Sequence, residues 1–265
     1  LVTDSIELAN ERLSRAERLW LFLDYDGTLA HFAPTPAHIE TDPELVDLLT
    51  RLAQHPRIRV SVVSGRRLSH VKGLLPGPRI MLAGSYGIEL QTPEGERIDR
   101  VDYGVVRPVL DELKPKWEEL IGGRQGFFLE DKGWTLAIHG RRADPGEADE
   151  VLATARPMAE EAAARGSFRI LGGYKFLEIG PQQANKGDAI EYLLASYPLP
   201  GALLIYLGDD DKDEEAFRVI RENGGLAILV APEECETCAH CRLESPETAR
   251  QWLEYVLASF DGNEE

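Results

Sequence analysis

Two acidic strings carry the strongest chemical signal in this chain, and each follows an apolar run. Asp24-Tyr25-Asp26-Gly27-Thr28 comes directly after Leu19–Leu23, and Gly208-Asp209-Asp210-Asp211-Lys212-Asp213-Glu214-Glu215 directly after Leu203–Leu207. In the first string two carboxylates stand two residues apart at the carboxyl end of an expected strand, where open α/β sheets keep their ligand crevice. Asp24 can then point at a substrate while Asp26 leans over it, and Gly27-Thr28 suits a tight exit turn. The plainer alternative is an acidic turn that only ends a strand. In the second string four aspartates within five positions repel one another unless a cation neutralises them. An oxygen-rich set of this kind suits Mg²⁺, a hard ion that takes one or two carboxylates and keeps several waters; the spacing does not fit an EF-hand. Its alternative is a solvated helix start, because acidic side chains favour a helix N-terminus.

Two weaker signals supply hydrogen-bond donors and positive charge. Ser64-Gly65-Arg66 follows the strand-like run ending at Val63, so Ser64 can hydrogen-bond a phosphoryl oxygen with Gly65 and Arg66 as candidate substrate contacts. Lys186-Gly187-Asp188 marks a helix start, where a lysine opposes the helix dipole and makes sense if it serves a bound anion. Any phosphate chemistry needs such groups, because 29 basic against 46 acidic residues leave a formal charge of −17. The same balance argues against nucleic acid or an anionic membrane as partner, since no surplus of cations exists to replace counterions. A P-loop NTPase is excluded by the lack of a Gly-rich Lys-Ser/Thr loop.

These side chains must be held by short apolar strands alternating with amphipathic helices. Strands are expected over 19–23, 58–63 and 80–83, and helices over 43–53 and 68–75; in the first helix Leu45, Val46, Leu48, Leu49 and Leu52 recur at helical spacing. From Lys186 the alternation resumes with a helix, a strand over 203–207, a helix by Glu214, a strand over 226–230 and a helix over 247–259. The expected class is α/β, a parallel sheet with helices on both faces. Between these two stretches the texture changes. Gln91–Glu96 reads as a hairpin turn, followed by a helix over 106–121, strands over 127–130 and 135–139, a helix over 145–164 and strands over 168–171 and 176–179. That order belongs to an open antiparallel sheet backed by two helices. The expected division is a core of residues 1–103 and 182–265 interrupted by an insert of residues 104–181, with hinges at Gly104 and Gly180-Pro181. The insert carries 11 basic and 13 acidic residues, so nearly all the negative charge falls on the core. A chain of 265 residues, 43% hydrophobic, can bury a sizeable core without staples. Its three cysteines are too few for a disulfide framework, nothing spans a membrane, and the N-terminal LVTDSIELANERLSR has no signal-peptide pattern. A cytoplasmic setting is therefore expected.

The ordered set Asp-x-Asp-Gly-Thr, strand-end Ser64, Lys186 and Gly-Asp-Asp-x-x-Asp resembles the haloacid dehalogenase superfamily of phosphatases. That resemblance implies a Rossmann-like core, with the insert as the larger, C2-type α+β cap. More narrowly, LFLDYDGTLA, VVSGR, LAGSYGIEL, TLAIHGR, FLEIGP with NKGDAI, GDDDKDEEAF and RLESPETARQWLEYV look like the trehalose-6-phosphate phosphatases. The resemblance implies Asp24 as the nucleophile that takes the phosphoryl group and Asp26 as the acid, then base. It implies Ser64 and Lys186 on the phosphoryl oxygens, and Mg²⁺ on Asp24, the Asp26 carbonyl and Asp209, with Asp210 and Asp213 orienting water. Glu130 and Lys132, a Glu-x-Lys pair, and Glu178 would grip sugar hydroxyls; an ordinary surface hairpin and a solvent-facing strand position are the alternatives. The implied partner is a small-molecule sugar phosphate, and a monomer is expected. Sucrose 6-phosphate or a glycosylglycerate phosphate are alternative substrates, and a sugar phosphomutase is an alternative activity. The chain departs from the family pattern at Tyr86, where a His is usual, and at Lys212, where a Thr is usual. Cys235, Cys238, Cys241 and His240 have spacing that could make a zinc site, but one seven-residue stretch rarely presents four ligands tetrahedrally, so a loop before the last helix is expected. His31, His38, His55 and His70 show no pairing pattern and are expected at the surface.

Overall fold

The computed structural model describes residues 6–31 and 40–262; His38 lies outside them. In chain order the elements are α1 (Ile6–Ser14), β1 (Arg18–Leu23), α2 (Pro43–Gln54), β2 (Ile58–Val63), α3 (Leu68–Leu74), β3 (Met81–Gly84), β4 (Glu89–Gln91) and β5 (Arg97–Asp99). There follow α4 (Tyr103–Ile121), β6 (Phe128–Asp131), β7 (Leu136–His139), α5 (Pro145–Ala163), β8 (Phe168–Gly173) and β9 (Phe176–Pro181). The chain closes with α6 (Lys186–Ser196), β10 (Ala202–Gly208), α7 (Glu214–Glu222), β11 (Leu226–Val230), β12 (Cys241–Leu243) and α8 (Pro246–Asp261). The backbone groups into two compact units, Leu1–Ile98 with Asn185–Glu265, and Asp99–Ala184. The sequence-based boundaries stood at 103/104 and 181/182.

The first unit is built on an eight-stranded sheet in the order β12-β11-β10-β1-β2-β3-β4-β5. From β12 to β3 the strands run parallel, and β4 turns back antiparallel against β3. β1 is buried from Leu19 to Leu23 because both its faces are covered. Alternation sends Leu19, Leu21 and Leu23 to one face, in a cluster with Leu45, Leu49 and Leu52 of α2 and Leu253 and Val256 of α8. Trp20 and Phe22 go to the other face, with Ile190 and Leu193 of α6 and Phe217 and Ile220 of α7. α2 starts where Asp42 accepts from the backbone N–H of Glu44 and Leu45, and Pro43 occupies its first turn. Strand order runs outward from β1 through β2 and β3 on one side and from β10 through β12 on the other. The reversal falls between β1 and β10, whose ends are level, Leu23 opposite Leu207. Asp24 and Gly208 therefore leave the sheet side by side at the position where such folds bind ligands.

Two elements escape the sequence reading. α1 buries only Ala9 and Leu13, too few for a period to show. β12 is three residues long and begins at Cys241, which is buried in the core. The expected loop before the last helix thus ends in an edge strand. The 91–96 hairpin, placed by its turn residues at the change of texture, extends the parallel sheet instead through β4 and β5.

Two of the histidines, His55 and His70, also depart from expectation. His55 is buried, its Nδ1 accepting from the Arg57 N–H and its ring edge-on to Phe260. His70 is half-buried beside the Arg66 guanidinium, and exposed His31 pairs with Glu247.

The second unit is an antiparallel sheet, β6-β7-β9-β8, with helices α4 and α5. α4 buries Val106, Leu110, Leu113 and Trp117, and α5 buries Ala148, Val151, Ala155 and Ala159. The small residues of α5 let the large Trp117 sit close, with its Nε1 donating to the Ala155 carbonyl at 3.3 Å. Among the described residues no helix is long and apolar enough to cross a membrane.

Candidate active site

Asp24, just past the last residue of β1, is 4% exposed. Its Oδ1 lies 2.8 Å from Lys186 Nζ. Lys186 is the first residue of α6, whose N-cap Asn185 accepts from the Gly187 and Asp188 N–H groups. The same Nζ reaches Asp213 Oδ1 at 2.7 Å. The lysine that opposed the helix dipole is thus buried between two carboxylates. Thr28 Oγ1 stands at 3.5 Å from both Asp24 Oδ2 and Asp209 Oδ1, bridging the two acidic strings.

Asp213 organises the second string. It precedes α7 but makes no side-chain cap on it. Its carboxylate turns back and accepts from the N–H groups of Asp209 at 3.0 Å and Asp210 at 3.2 Å, from Lys186, and from the Tyr206 hydroxyl at 2.5 Å. Gly208 makes room for this turn, since a Cβ there would collide with the Asp213 side chain. Burial opposes ionisation of Asp213, yet Lys186, Tyr206 and the backbone donors hold its carboxyl below the usual range. Burial likewise opposes the Lys186 charge, and Asp213 and Asp24 hold it well above an ordinary lysine.

Asp24 and Asp209 are in the opposite condition. Burial pushes Asp24 up to about 7 despite Lys186. Burial, then the charges of Asp24 and Asp213, push Asp209 up to about 10. Burial raises Asp210 as well. Oxygens of Asp24, Asp209 and Asp213 lie within 4.8 Å of one another. Four donors already occupy Asp213, so Asp24 and Asp209 are the carboxylates with capacity for a hard divalent cation, which would remove the repulsion that now disfavours their ionisation.

Asp26 pairs with Arg66. Its carboxylate accepts from Arg66 Nε and Nη2, both at 2.6 Å, a bidentate pair with little exposure on either side. Ser64, fully buried, accepts on Oγ from the Arg66 N–H at 3.1 Å. Gly65 packs under Tyr86: an added Cβ would sit 2.7 Å from its ring. Ser85 and Tyr86 both take left-handed backbone conformations, φ 51° and 57°, uncommon for side chains of their size. That strain turns the Tyr86 ring toward Gly65 and Lys212, whose Nζ donates to the Tyr86 hydroxyl at 3.4 Å. The two positions that depart from the family pattern are therefore in contact.

In the second unit Lys132 joins the other three-residue set. Its Nζ is 3.2 Å from Glu178 Oε1 and 3.7 Å from Glu130 Oε2. Glu178, in β9, is 1% exposed and also accepts from Thr135 Oγ1 at 2.5 Å, which removes the solvent-face reading. Glu130, in β6, meets His139 Nε2 at 2.9 Å, and the His139 ring stacks on Phe128.

Sequence reasoning overlooked Tyr206, Thr135 and His139, and gave Thr28 a turn in place of its contacts with Asp24 and Asp209. Tyr206 had one available signal: a tyrosine inside an otherwise aliphatic buried strand needs a hydroxyl partner. His139 and Thr135 had none, because their partners lie across a sheet. The cysteine string does not converge. Cys235 is exposed, Cys241 is buried and the His240 ring accepts from the Ala227 N–H, and among the described residues the one grouping that could hold a metal is the aspartate trio.

The parallel core sheet, the separate antiparallel sheet and the acidic side chains at the switch point make up a haloacid dehalogenase-like fold. The trehalose-phosphatase family model matches residues 22–247, and the chain belongs to that family. A probable trehalose-phosphate phosphatase of Sinorhizobium fredii is 33% identical over 213 residues, covering 80% of this chain and 77% of that protein. A trehalose 6-phosphate phosphatase of Zea mays is 30% identical, covering 91% and 70%. Among solved structures, an Aspergillus fumigatus trehalose-6-phosphate phosphatase superposes with a TM-score of 0.72 at 27% identity, covering 97% and 99%. The C-terminal domain of the C. albicans enzyme gives 0.83 at 19% identity, covering 97% of each chain, a likeness of fold.

Proposed function

We propose that the protein hydrolyses trehalose 6-phosphate to trehalose and inorganic phosphate through an aspartyl-phosphate on Asp24. The carrying observation is the buried Asp24–Lys186 contact at the exit of β1, an acid with no structural need for burial beside a cation that can follow a phosphoryl oxygen. An Asp24 carboxylate oxygen attacks phosphorus, the bond to the sugar oxygen breaks, and Asp26 delivers a proton to that oxygen. Water then attacks the aspartyl-phosphate, Asp26 takes the water proton, and cleavage of the phosphorus–Asp24 bond restores the carboxylate. Arg66 fixes the Asp26 carboxylate orientation through both transfers. Ser64 and Lys186 hold phosphoryl oxygens. Asp24, Asp209 and the Asp26 carbonyl would hold Mg²⁺, with Asp210 and Asp213 beside them, and the ion when bound would neutralise phosphoryl charge that a core this acidic otherwise repels. Glu130, Lys132 and Glu178 read the sugar hydroxyls through charged hydrogen bonds.

The direct test is phosphate release from trehalose 6-phosphate, sucrose 6-phosphate and a glycosylglycerate phosphate, each with Mg²⁺ or chelator. Trehalose 6-phosphate with Mg²⁺ is expected to lead by tenfold or more. Preference for another substrate, or phosphate appearing on a second sugar hydroxyl, overturns the reading. Mg²⁺ is also expected to raise the thermal midpoint at fixed ionic strength, since an ion bound only by the folded state stabilises it by mass action. A midpoint indifferent to millimolar Mg²⁺ counts against the metal assignment.

Specificity gives a separate expectation. Glu130→Ala, Lys132→Ala and Glu178→Ala should each lower kcat/KM for trehalose 6-phosphate by about ten- to a hundredfold, the worth of one charged hydrogen bond. A small aryl phosphate, which lacks the sugar, should lose far less. Equal losses on both substrates would make these residues supports of the fold.

A further inference from the structure

A cavity of about 380 Å³ opens at the amino end of β1 and β2, the end of the sheet opposite Asp24. Four arginines line it. Arg18 is the first residue of β1, Arg57 immediately precedes β2, Arg59 lies within β2, and Arg79 stands two residues before β3. The parallel register brings them together, with Leu19 opposite Ile58 and Ser61 opposite Met81.

This concentration runs against the whole chain, whose formal charge is −17. Among the described residues none of the four makes an ion pair with a carboxylate. Arg57 donates to the Phe260 carbonyl and lies over the Phe260 ring. Arg59 donates to the Tyr197 carbonyl at 2.5 Å and lies 4.7 Å over the Trp20 ring. These contacts to carbonyls and rings hold two guanidinium groups in place without a carboxylate partner. Arg18 and Arg79 are exposed and also line the cavity. Like charges gathered in one cavity repel, and a bound anion relieves that repulsion. Guanidinium presents five donors in a fixed fork that suits phosphate oxygens. The cavity lies within the usual range for small-molecule sites, about 300–1,000 Å³. Four arginines exceed what one phosphate monoester needs.

We propose that this cavity is a second anion site, for a small molecule carrying two or more phosphate groups. It lies about 20 Å from Asp24, the length of β1 at ~3.3 Å per residue. It is independent of the hydrolytic reading.

The test is calorimetric titration of the metal-free protein with inorganic tripolyphosphate, ATP and orthophosphate at fixed ionic strength, on wild type and on the double variant Arg18→Gln/Arg79→Gln. One-to-one binding of tripolyphosphate or ATP is expected, weakened tenfold or more in the variant, with orthophosphate at least tenfold weaker than either. A tighter fit for ATP assigns the phosphates to a nucleotide, and a tighter fit for tripolyphosphate to an inorganic chain. Both variant positions lie outside the hydrolytic machinery, so sugar-phosphate turnover with Mg²⁺ and the thermal midpoint should match wild type. The single variant Arg79→Glu, judged by the same titration, guards against a folding defect in the double variant. No saturable binding at millimolar tripolyphosphate or ATP, affinity unchanged in both variants, or orthophosphate binding as tightly as the polyphosphates overturns the proposal.

Discussion

Asp24→Asn is expected to lower phosphatase turnover by about 10⁴-fold or more while the protein keeps its fold, because the proposed mechanism leaves no neighbouring group to replace its carboxylate as nucleophile. The amide preserves the shape of a side chain that is 4% exposed, and Lys186 keeps Asp213 as its counter-charge. The stability effect has a definite sign. Burial raises the Asp24 carboxyl to about 7, so the folded state holds its proton more tightly than the unfolded chain. Stability from this group is therefore lost as pH rises from the unfolded value of 3.8 to about 7, and stays lost above it. At pH 7.5 in chelator, Asp24→Asn should melt no lower than wild type. Adding Mg²⁺ should raise the wild-type midpoint more than that of the variant. Substantial residual turnover in the folded variant would sink the nucleophile assignment, and an equal Mg²⁺ response in both would separate the ion from Asp24.

The parts of this site that were legible in the sequence are those in which chemistry and local structure coincide. Asp24 could be read because a wholly apolar strand runs into it and the strand is buried on both faces. Asp209 and Lys186 follow from the same logic, one as a strand exit and one as a helix start. Contacts between distant elements left no trace of that kind. Asp213 was expected to orient water beside Asp210, yet its carboxylate accepts from the loop before it, because Gly208 lets the chain fold back over it. Arg66 was visible as a polar residue after a strand, but its bidentate grip on Asp26 depends on β1 and β2 lying side by side. The three residues of β12 carry too little pattern to mark a strand, and Cys241 appeared there as a possible ligand when it is a core residue. The arginines at the amino end were invisible for a related reason. They are 61 positions apart from first to last, and the strand order alone gathers them.

The buried lysine gives the last expectation. Lys186→Met should cost about 3–5 kcal/mol, the usual effect of removing one partner of a buried ion pair, and shift the midpoint in chelator by on the order of 10 °C. The loss arises because Asp24 and Asp213 both lose the cation that lies within 2.8 Å of each. Asp213→Asn should also destabilise, since Lys186 would keep only Asp24 and the Tyr206 hydroxyl would face an amide. The double variant Lys186→Met/Asp213→Asn removes both charges together. If the pair is coupled as the geometry indicates, its cost is smaller than the sum of the two single costs by 1 kcal/mol or more, in the range of about 0.5–3 kcal/mol for groups in direct contact. Urea denaturation in chelator measures the cycle, and strict additivity would show that Lys186 and Asp213 act separately. All three variants should be inactive on sugar phosphate, because the amine that steadies Asp24 is either gone or displaced. Repeating the cycle with Mg²⁺ separates the two roles of the lysine. A divalent ion on Asp24 and Asp209 would relieve the Asp24 part of the Lys186→Met defect and leave the Asp213 part, so Mg²⁺ should restore part of the lost stability to Lys186→Met and none of its turnover.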